Sequence, residues 1–274
     1  MHPDVILARV TSAQEIAPDI FHITLHTPAL ARAALPGQFV MVRAGEGSAP
    51  LLRRPFSICG AAGDEVSLLF QVRGAGTLIM SRWISGQEVS LMGPLGNGFS
   101  FGNTMSVALL VAGGIGIAPM LFLAEYLQRT FPDVARHLIA GAKSKTDLAL
   151  LQHFELQHCH VYIATEDGSL GEQGLVTDVL LEVLQSAHPG SGRHCLFGCG
   201  PHAMAKALAD IAAQQDLDCQ LALEARMACG TGACLGCVVA ARDDSGGSGP
   251  YRRVCVDGPV FESRAIDWKL TSSS

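Results

Sequence analysis

Charge is scarce in this chain. Asp, Glu, Lys and Arg together make up only 16% of its 274 residues, and nowhere do Lys or Arg gather into a basic tract. The formal net charge is -6 and the pI about 5.9. A chain without a basic footprint has nothing with which to track a phosphate backbone or an anionic bilayer, so nucleic acid and membrane surfaces are excluded as partners. An apolar leader is missing as well. Asp4 comes early and no hydrophobic stretch follows it, which argues against a secretory signal and for the cytoplasm. Internal repeats are absent, so solenoid architectures drop out. One uncharged run, Val107 to Ala124, approaches the length of a membrane span, but Gly113, Gly114, Gly116 and Pro119 interrupt it. Those residues break a helix and point instead to a strand, a turn and a fresh helix.

Hydrophobic residues, in contrast, are abundant at 49%, with a mean hydropathy of +0.30. A chain this long and this apolar builds more than one core and keeps an apolar surface of the kind that partner subunits cover.

Over the first hundred residues the pattern is that of strands. The segments at 4–16, 20–28, 37–45, 65–72 and 86–94 are short apolar or alternating runs. Turns at Pro36-Gly37, Gly63-Asp64 and Ser85-Gly86 separate them, as in an antiparallel barrel or sandwich. After Gly102 the period changes. Strand-like runs at 106–114, 136–142, 159–167 and 194–201 alternate with helical spacing at 118–130, 175–185 and 202–215, which predicts a parallel sheet with helical crossovers. A small Cys-rich unit begins near Leu223. The expected division is therefore a barrel at 1–102, an α/β domain at 103–222 and a cysteine domain at 223–274.

The strongest chemical signal lies in that last unit. Nine cysteines are present, and Cys229, Cys234, Cys237 and Cys255 crowd the tail with the spacing Cys-x4-Cys-x2-Cys and then seventeen residues to the last. Clustered cysteines in an intracellular chain point to metal, and this spacing is the plant-type [2Fe–2S] pattern. Gly230, Gly232 and Gly236 let the loop wrap tightly and aim backbone N–H groups at sulfur. Structural zinc is the competing reading, but its sites favour two separated Cys-x2-Cys knuckles, and only one such pair occurs. Of the other cysteines, Cys159, Cys195 and Cys219 read as small hydrophobes.

Two further constellations are weaker. Arg54, Pro55, Phe56 and Ser57 close a barrel strand: an Arg to pair with phosphate, a ring to flank a ring, a hydroxyl for an isoalloxazine edge. A surface Arg and a turn Pro explain the same residues. They gain weight from Gly74, Gly76 and Thr77, which open a helical stretch where a pyrophosphate can sit. A glycine turn at 93–99 reads equally as a linker. In the second half, Gly113, Gly114 and Gly116 follow one strand, and Gly198 and Gly200 flank Cys199 after another. Paired glycine turns at strand ends suit a dinucleotide crevice. Glu166 and Asp167, at a third strand end, are hostile to a ribose 2′-phosphate and favour NAD, although a solvated acidic turn accounts for them too. Cys199 either neighbours the nicotinamide or simply packs.

Taken in order, R-P-F-S with G-A-G-T, the glycine turns and the tail cysteines resemble the ferredoxin–NADP reductase-like superfamily with a C-terminal [2Fe–2S] domain. Within it, the segments 226–237 and 251–261, with 53–58, 113–119 and 165–178, look most like the electron-transfer subunits of class 1B dihydroorotate dehydrogenases. The resemblance implies FAD in the barrel, NAD(H) as co-substrate of the middle domain and a [2Fe–2S] cluster held by the four tail cysteines. It implies FAD contacts at Arg54, Pro55, Phe56, Ser57, Leu69, Phe70, Gln71, Gly76 and Thr77. The implied partner is an FMN-containing catalytic subunit that oxidises dihydroorotate in pyrimidine biosynthesis, in a heterotetramer. Similar architectures serve sulfide dehydrogenases, hydrogenases and NAD(P)H:ferredoxin oxidoreductases. The loop at 243–250, long and rich in Gly and Ser, departs from the pattern before Cys255.

Overall fold

The computed structural model describes residues 5–45, 47, 50–102, 104–186, 192–242 and 250–271. The expectation about the loop at 243–250 therefore lies almost wholly outside the described residues.

Six strands close the N-terminal barrel: β1 (Val5–Ala17), β2 (Ile20–His26), β3 (Phe39–Arg43), β4 (Arg54–Ala62), β5 (Glu65–Gln71) and β6 (Glu88–Leu95), in the order β1-β2-β5-β4-β3-β6. Every neighbouring pair is antiparallel. Closure removes the exposed edges that an open sheet of this size would present. The alternation read from the sequence is the barrel's inside and outside: Val10, Ile23, Leu25, Val40, Val42, Ile58, Val66, Leu68 and Leu91 fill the interior with essentially no exposure. Two short helices, α1 (Pro28–Ala33) and α2 (Ala75–Met80), interrupt the barrel connections.

The R-P-F-S segment does not lie where its residues predict. Arg54 to Ser57 open strand β4 and do not end a strand. Pro55, which donates no hydrogen bond, is tolerated because this part of β4 pairs only with β3, while β5 pairs further along from Ile58.

The second half forms a seven-stranded sheet. Its elements are β7 (Met105–Gly113), α3 (Ile117–Thr130), β8 (Ala135–Ala142), α4 (Lys145–Leu148), β9 (His160–Thr165), β10 (Glu172–Gln173), α5 (Val176–Ser186), β11 (Arg193–Cys199), α6 (His202–Gln214) and β12 (Asp218–Ala222). Strand order is β10-β9-β8-β7-β11-β12-β15, where β15 (Val260–Glu262) comes from the tail and β7 is central. The chain runs outward from β7 through β8 and β9, then returns to the other side of β7 as β11. Direction therefore reverses beside β7, and ligands of such sheets bind at the carboxyl ends of the strands flanking that point. The uncharged run from Val107 is thus strand β7, a glycine turn and α3. Among the described residues no helix is long and apolar enough to cross a membrane.

The tail adds β13 (Val238–Ala240), β14 (Tyr251–Arg253) and β15 (Val260–Glu262). The first two form their own hairpin ladder, whereas β15 returns to the large sheet and pairs antiparallel with β12. Helix α3 ties the two halves together: most of its apolar side chains pack under the sheet, while Phe122 completes the barrel core.

Candidate redox and nucleotide sites

The tail cysteines are brought together by a loop that turns through left-handed backbone at two glycines and a leucine. Gly230 and Gly232 have φ of +72° and +82°, and Leu235 takes φ of +56°. A β-carbon at 230 would lie 2.6 Å from Met41 Cγ, and one at 232 would lie 2.8 Å from Val256 Cγ2. The loop therefore presses against the outer wall of the barrel on one side and against the strand segment carrying Cys255 on the other. Cys237 and Cys255 are buried, Cys229 is half-buried and Cys234 exposed. Burial opposes ionisation of Cys229, but the backbone N–H groups of Thr231 and Cys234, each 3.4 Å from its sulfur, outweigh it and lower the thiol to about 6. Cys234's side chain also bonds to Cys229. Cys255 behaves oppositely: burial and the adjoining Cys237 thiol push it up to about 12, while the Gly232 N–H pulls it down.

The sulfurs thus meet as two pairs, 229 with 234 and 237 with 255. Among the described residues no group of three or more His, Cys, Asp or Glu is arranged around a single ion. Four thiol donors in two pairs, with N–H groups already directed at sulfur, suit a centre of two irons that each take two thiolates.

Beside the loop, a cavity of about 330 Å³ opens between the barrel and the sheet. Pro55, Phe56, Ser57, Leu69, Phe70, Gln71 and Thr77 all line it, so the two flavin segments expected from the sequence converge. Phe56 and Phe70 face one another with ring centroids 5.5 Å apart. Arg54 is not in the lining. Its side chain lies over Gly76, whose β-carbon would stand 3.3 Å from Arg54 Nε. Gly74 caps α2, and its N–H donates to Thr77 Oγ1 at 3.2 Å. The lining of aromatic and apolar side chains with a few polar atoms, set beside an Arg, fits a flat heteroaromatic ring and its phosphate tail. Gly116 and Cys199 line the same cavity. Cys199 is buried, and desolvation with the nearby Glu224 carboxylate keeps its thiol strongly protonated. The sequence reading missed Arg73, Glu224 and Met227, which complete the wall. Glu224 stands open to the cleft, yet the walls around it raise its carboxyl, opposed by the Arg73 charge. No motif marks Glu224 in the sequence; it lies five residues before Cys229.

A larger cavity of about 850 Å³ lies at the carboxyl ends of β7 and β8, where the sheet reverses direction. Gly113 and Gly114 line it. Gly200 closes on Gly113, with a β-carbon at 200 only 3.1 Å from Gly113 Cα, so the two glycine turns touch. Gly198 serves packing: a side chain there would strike Leu208 and Leu221, each at 2.7 Å. Of the acidic pair only Glu166 faces the cavity; Asp167 is turned to Ser169, whose N–H and hydroxyl both donate to its Oδ1. Lys143, Asp147 and Thr177 also face it and were not foreseen. They follow the ends of β8 and the start of α5, where strand–helix junctions of such sheets place ligand contacts. Gln71, Arg73 and Ile115 belong to both cavities. The larger cleft therefore runs into the smaller one, and the smaller one reaches Ala225 and Met227, two residues from Cys229.

A barrel with an aromatic cleft, a switch-point sheet and a cysteine loop in contact with both define a nicotinamide-dependent oxidoreductase that carries an iron–sulfur centre. Residues 110–210 match the model of the oxidoreductase NAD-binding domain. Residues 224–267 match that of the iron-sulfur cluster binding domain of dihydroorotate dehydrogenase B. The chain is 38% identical over 265 residues to the dihydroorotate dehydrogenase B (NAD(+)) electron transfer subunit of Desulforamulus reducens, covering 96% of this chain and 98% of that one. It is 39% identical to that of Caldanaerobacter subterraneus, covering 94% and 97%. This chain belongs to the family of dihydroorotate dehydrogenase B (NAD(+)) electron transfer subunits. Among solved structures, that of an NADH-dependent reduced ferredoxin-NADP oxidoreductase superposes with a TM-score of 0.82 at 27% identity, covering 96% of this chain and 91% of that one. The ferredoxin reductase of carbazole 1,9a-dioxygenase shares the fold, with a TM-score of 0.66 at 18% identity over 78% and 67%.

Proposed function

We propose that this chain is the electron-transfer subunit of a cytoplasmic, NAD-dependent dihydroorotate dehydrogenase acting in pyrimidine biosynthesis. In this reading it moves electrons between a separate FMN-containing subunit, where dihydroorotate is oxidised, and NAD, within a heterotetramer. The carrying observation is the continuity of three sites: the nucleotide cleft and the aromatic cleft share Gln71, Arg73 and Ile115, and the aromatic cleft ends two residues short of Cys229. Nicotinamides move electrons as hydride and iron–sulfur centres move them singly, so a flavin, which does both, belongs between them.

The chain's own residues supply position and electrostatics. Phe56, Ser57, Phe70 and Gln71 would hold the isoalloxazine, with Arg54, Gly76 and Thr77 at its phosphates. Gly113 and Gly114 would let a dinucleotide backbone approach closely, with Gly200 packed behind them. Cys199, neutral and small, fills the floor of the aromatic cleft without adding charge. The four tail cysteines would ligate the two irons. In this reading the barrel at 1–102, the α/β domain at 103–222 and the cysteine domain at 223–274 carry FAD, NAD and cluster respectively. The outer face around the cysteine loop carries exposed apolar side chains. Leu235 is 60%, Val256 38% and Val5 62% exposed. Val5 joins this face because it pairs with Met92, which pairs with Met41, on which Gly230 sits. That face suits a subunit that must come close to the cluster.

Anaerobic addition of NADH to the purified chain tests the internal path, with bleaching of flavin absorbance expected. Dihydroorotate-dependent reduction of NAD by the complex co-purified with its catalytic subunit tests the whole. Failure of NADH to bleach a flavin-loaded protein overturns the reading. A second reading, an NADH:ferredoxin-type oxidoreductase subunit, is favoured by the 0.82 TM-score to such a structure. It would be preferred if the native complex exchanged electrons between NADH and ferredoxin and did not reduce NAD with dihydroorotate.

A further inference from the structure

Arg253 occupies a position that the cysteine pattern alone does not explain. It lies two residues before Cys255 on β14, and its backbone pairs with Val238, the residue after Cys237. It is thus flanked by both members of the buried cysteine pair. Its guanidinium is laid against the ligand loop: a β-carbon on Gly232 would stand 3.1 Å from Arg253 Nη1 and 3.6 Å from Cζ. The glycine there makes room for the arginine as well as for Val256. Arg253 lies within electrostatic reach of the Cys255 and Cys237 sulfurs. One carboxylate fixes it in place. Asp257 accepts from Nε and Nη2, both at 3.2 Å, and from the Arg253 backbone N–H at 2.7 Å. A guanidinium locked by two parallel hydrogen bonds loses little further freedom when a charge nearby changes.

We propose that Arg253 and Asp257 together set the reduction potential of the cluster, Arg253 raising it and Asp257 moderating that effect. This rests on the reading of the four tail cysteines as cluster ligands. A centre with four thiolates is already anionic when oxidised and gains one more negative charge on reduction. A fixed cation beside it stabilises the reduced form more than the oxidised one, and a fixed anion does the reverse. The two side chains make a dipole whose positive end touches the ligand loop. The potential is then adjustable by either residue without altering a ligand.

The test is an EPR-monitored redox titration of the assembled complex carrying R253Q, R253K or D257N, with iron and sulfide quantified in each. R253Q is expected to move the cluster midpoint to a more negative potential. D257N, which keeps the hydrogen-bond acceptor and removes the charge, is expected to move it to a more positive one. R253K is expected to stay near the parent value. Opposite signs for R253Q and D257N are what a merely structural salt bridge does not produce. Equal-signed shifts, or unchanged midpoints in cluster-loaded variants, overturn the proposal. If R253Q does not retain iron, D257N decides alone: a positive shift sustains the inference and any other result defeats it. Absence of iron from the parent protein would instead defeat the cysteine assignment, so the two failures are distinguishable.

Discussion

Gly230 sits directly on Met41: a β-carbon at position 230 would come within 2.6 Å of Met41 Cγ and 3.1 Å of its sulfur. The loop holding Cys229 and Cys234 is therefore seated on the barrel wall, with φ at Gly230 of +72°. Gly230→Ala adds both a clash and a left-handed alanine, about 1–3 kcal/mol of local strain. Met41 has no exposure and cannot retreat far. The variant is expected to fold, because the barrel interior and the core between α3 and the sheet contain no side chain of the loop, but to hold markedly less iron and sulfide per chain. Colorimetric iron and sulfide assays alongside a thermal melt check this. Full iron loading would show the contact to be dispensable.

Glu166 is the acidic residue that faces the larger cleft, with Lys143 across the same lining. A carboxylate there repels a 2′-phosphate and leaves a free ribose hydroxyl unaffected. Glu166→Gln is expected to lower the NADH-over-NADPH ratio of kcat/KM by about tenfold, equivalent to about 1.4 kcal/mol of discrimination. Asp167→Asn, at a residue whose carboxylate is engaged by Ser169, should change that ratio little. Steady-state kinetics with an artificial acceptor separate the two variants.

Much of this architecture can be read from residue order, and the exceptions share a cause. Strand β7, the glycine turn and α3 follow from Gly113, Gly114, Gly116 and Pro119, because local backbone demands are written in local residues. The convergence of Phe56 and Ser57 with Phe70 and Gln71 on one cavity is long-range, yet recurring motifs betray it. Strand β15 was not foreseen. Three residues, Val260 to Glu262, carry no periodicity, and their place beside β12 is set by the long-range register Leu221 with Phe261. Strand β4 was misplaced because Pro55 reads as a turn residue until the one-sided pairing of that segment is known. Among site residues, Glu224 and Arg73 carry no motif of their own. Arg73 gains its role where the two cavities meet, and Glu224 gains its role in the wall of the smaller one.

His22, on β2, marks the seam between barrel and sheet. Its ring meets Phe154 edge-on at 5.5 Å, and its Nε2 is buried without a hydrogen-bond partner. Burial lowers its pKa below the usual 6.5, and the neighbouring His153 adds to the effect. A histidine that binds its proton less readily when folded stabilises the native state above the unfolded pKa. That contribution is lost as pH falls below about 6.5 toward the depressed folded value. His137 and His158 shift in the same direction, chiefly through burial. The melting temperature is therefore expected to decline between pH 7.5 and 5.5. His22→Gln should make that decline shallower, though not abolish it, because His137 and His158 remain. Thermal melts across this range check it. An unchanged slope in the variant would remove His22 from the account.

Leu235 is a non-glycine residue held at φ +56° and 60% exposed between Cys234 and Gly236. Neither feature benefits the isolated chain, since a leucine there carries backbone strain and leaves apolar surface in water. Both make sense if a partner subunit covers the position. Leu235→Asp and, two strands away on the barrel, Val5→Asp are each expected to weaken association with the catalytic subunit about tenfold or more, as charges in the centre of an apolar contact do. Val5→Asp should leave NADH-driven reduction of an artificial acceptor unchanged, because β1 lines neither cleft there. Leu235→Gly serves as the companion variant: it relieves the strained φ without adding charge, so it should keep or improve iron loading while still losing affinity. Titration calorimetry or sedimentation of the reconstituted pair, with iron content measured in parallel, distinguishes a weakened interface from a damaged cluster loop. Full affinity in Val5→Asp and Leu235→Asp together would place the partner on another face.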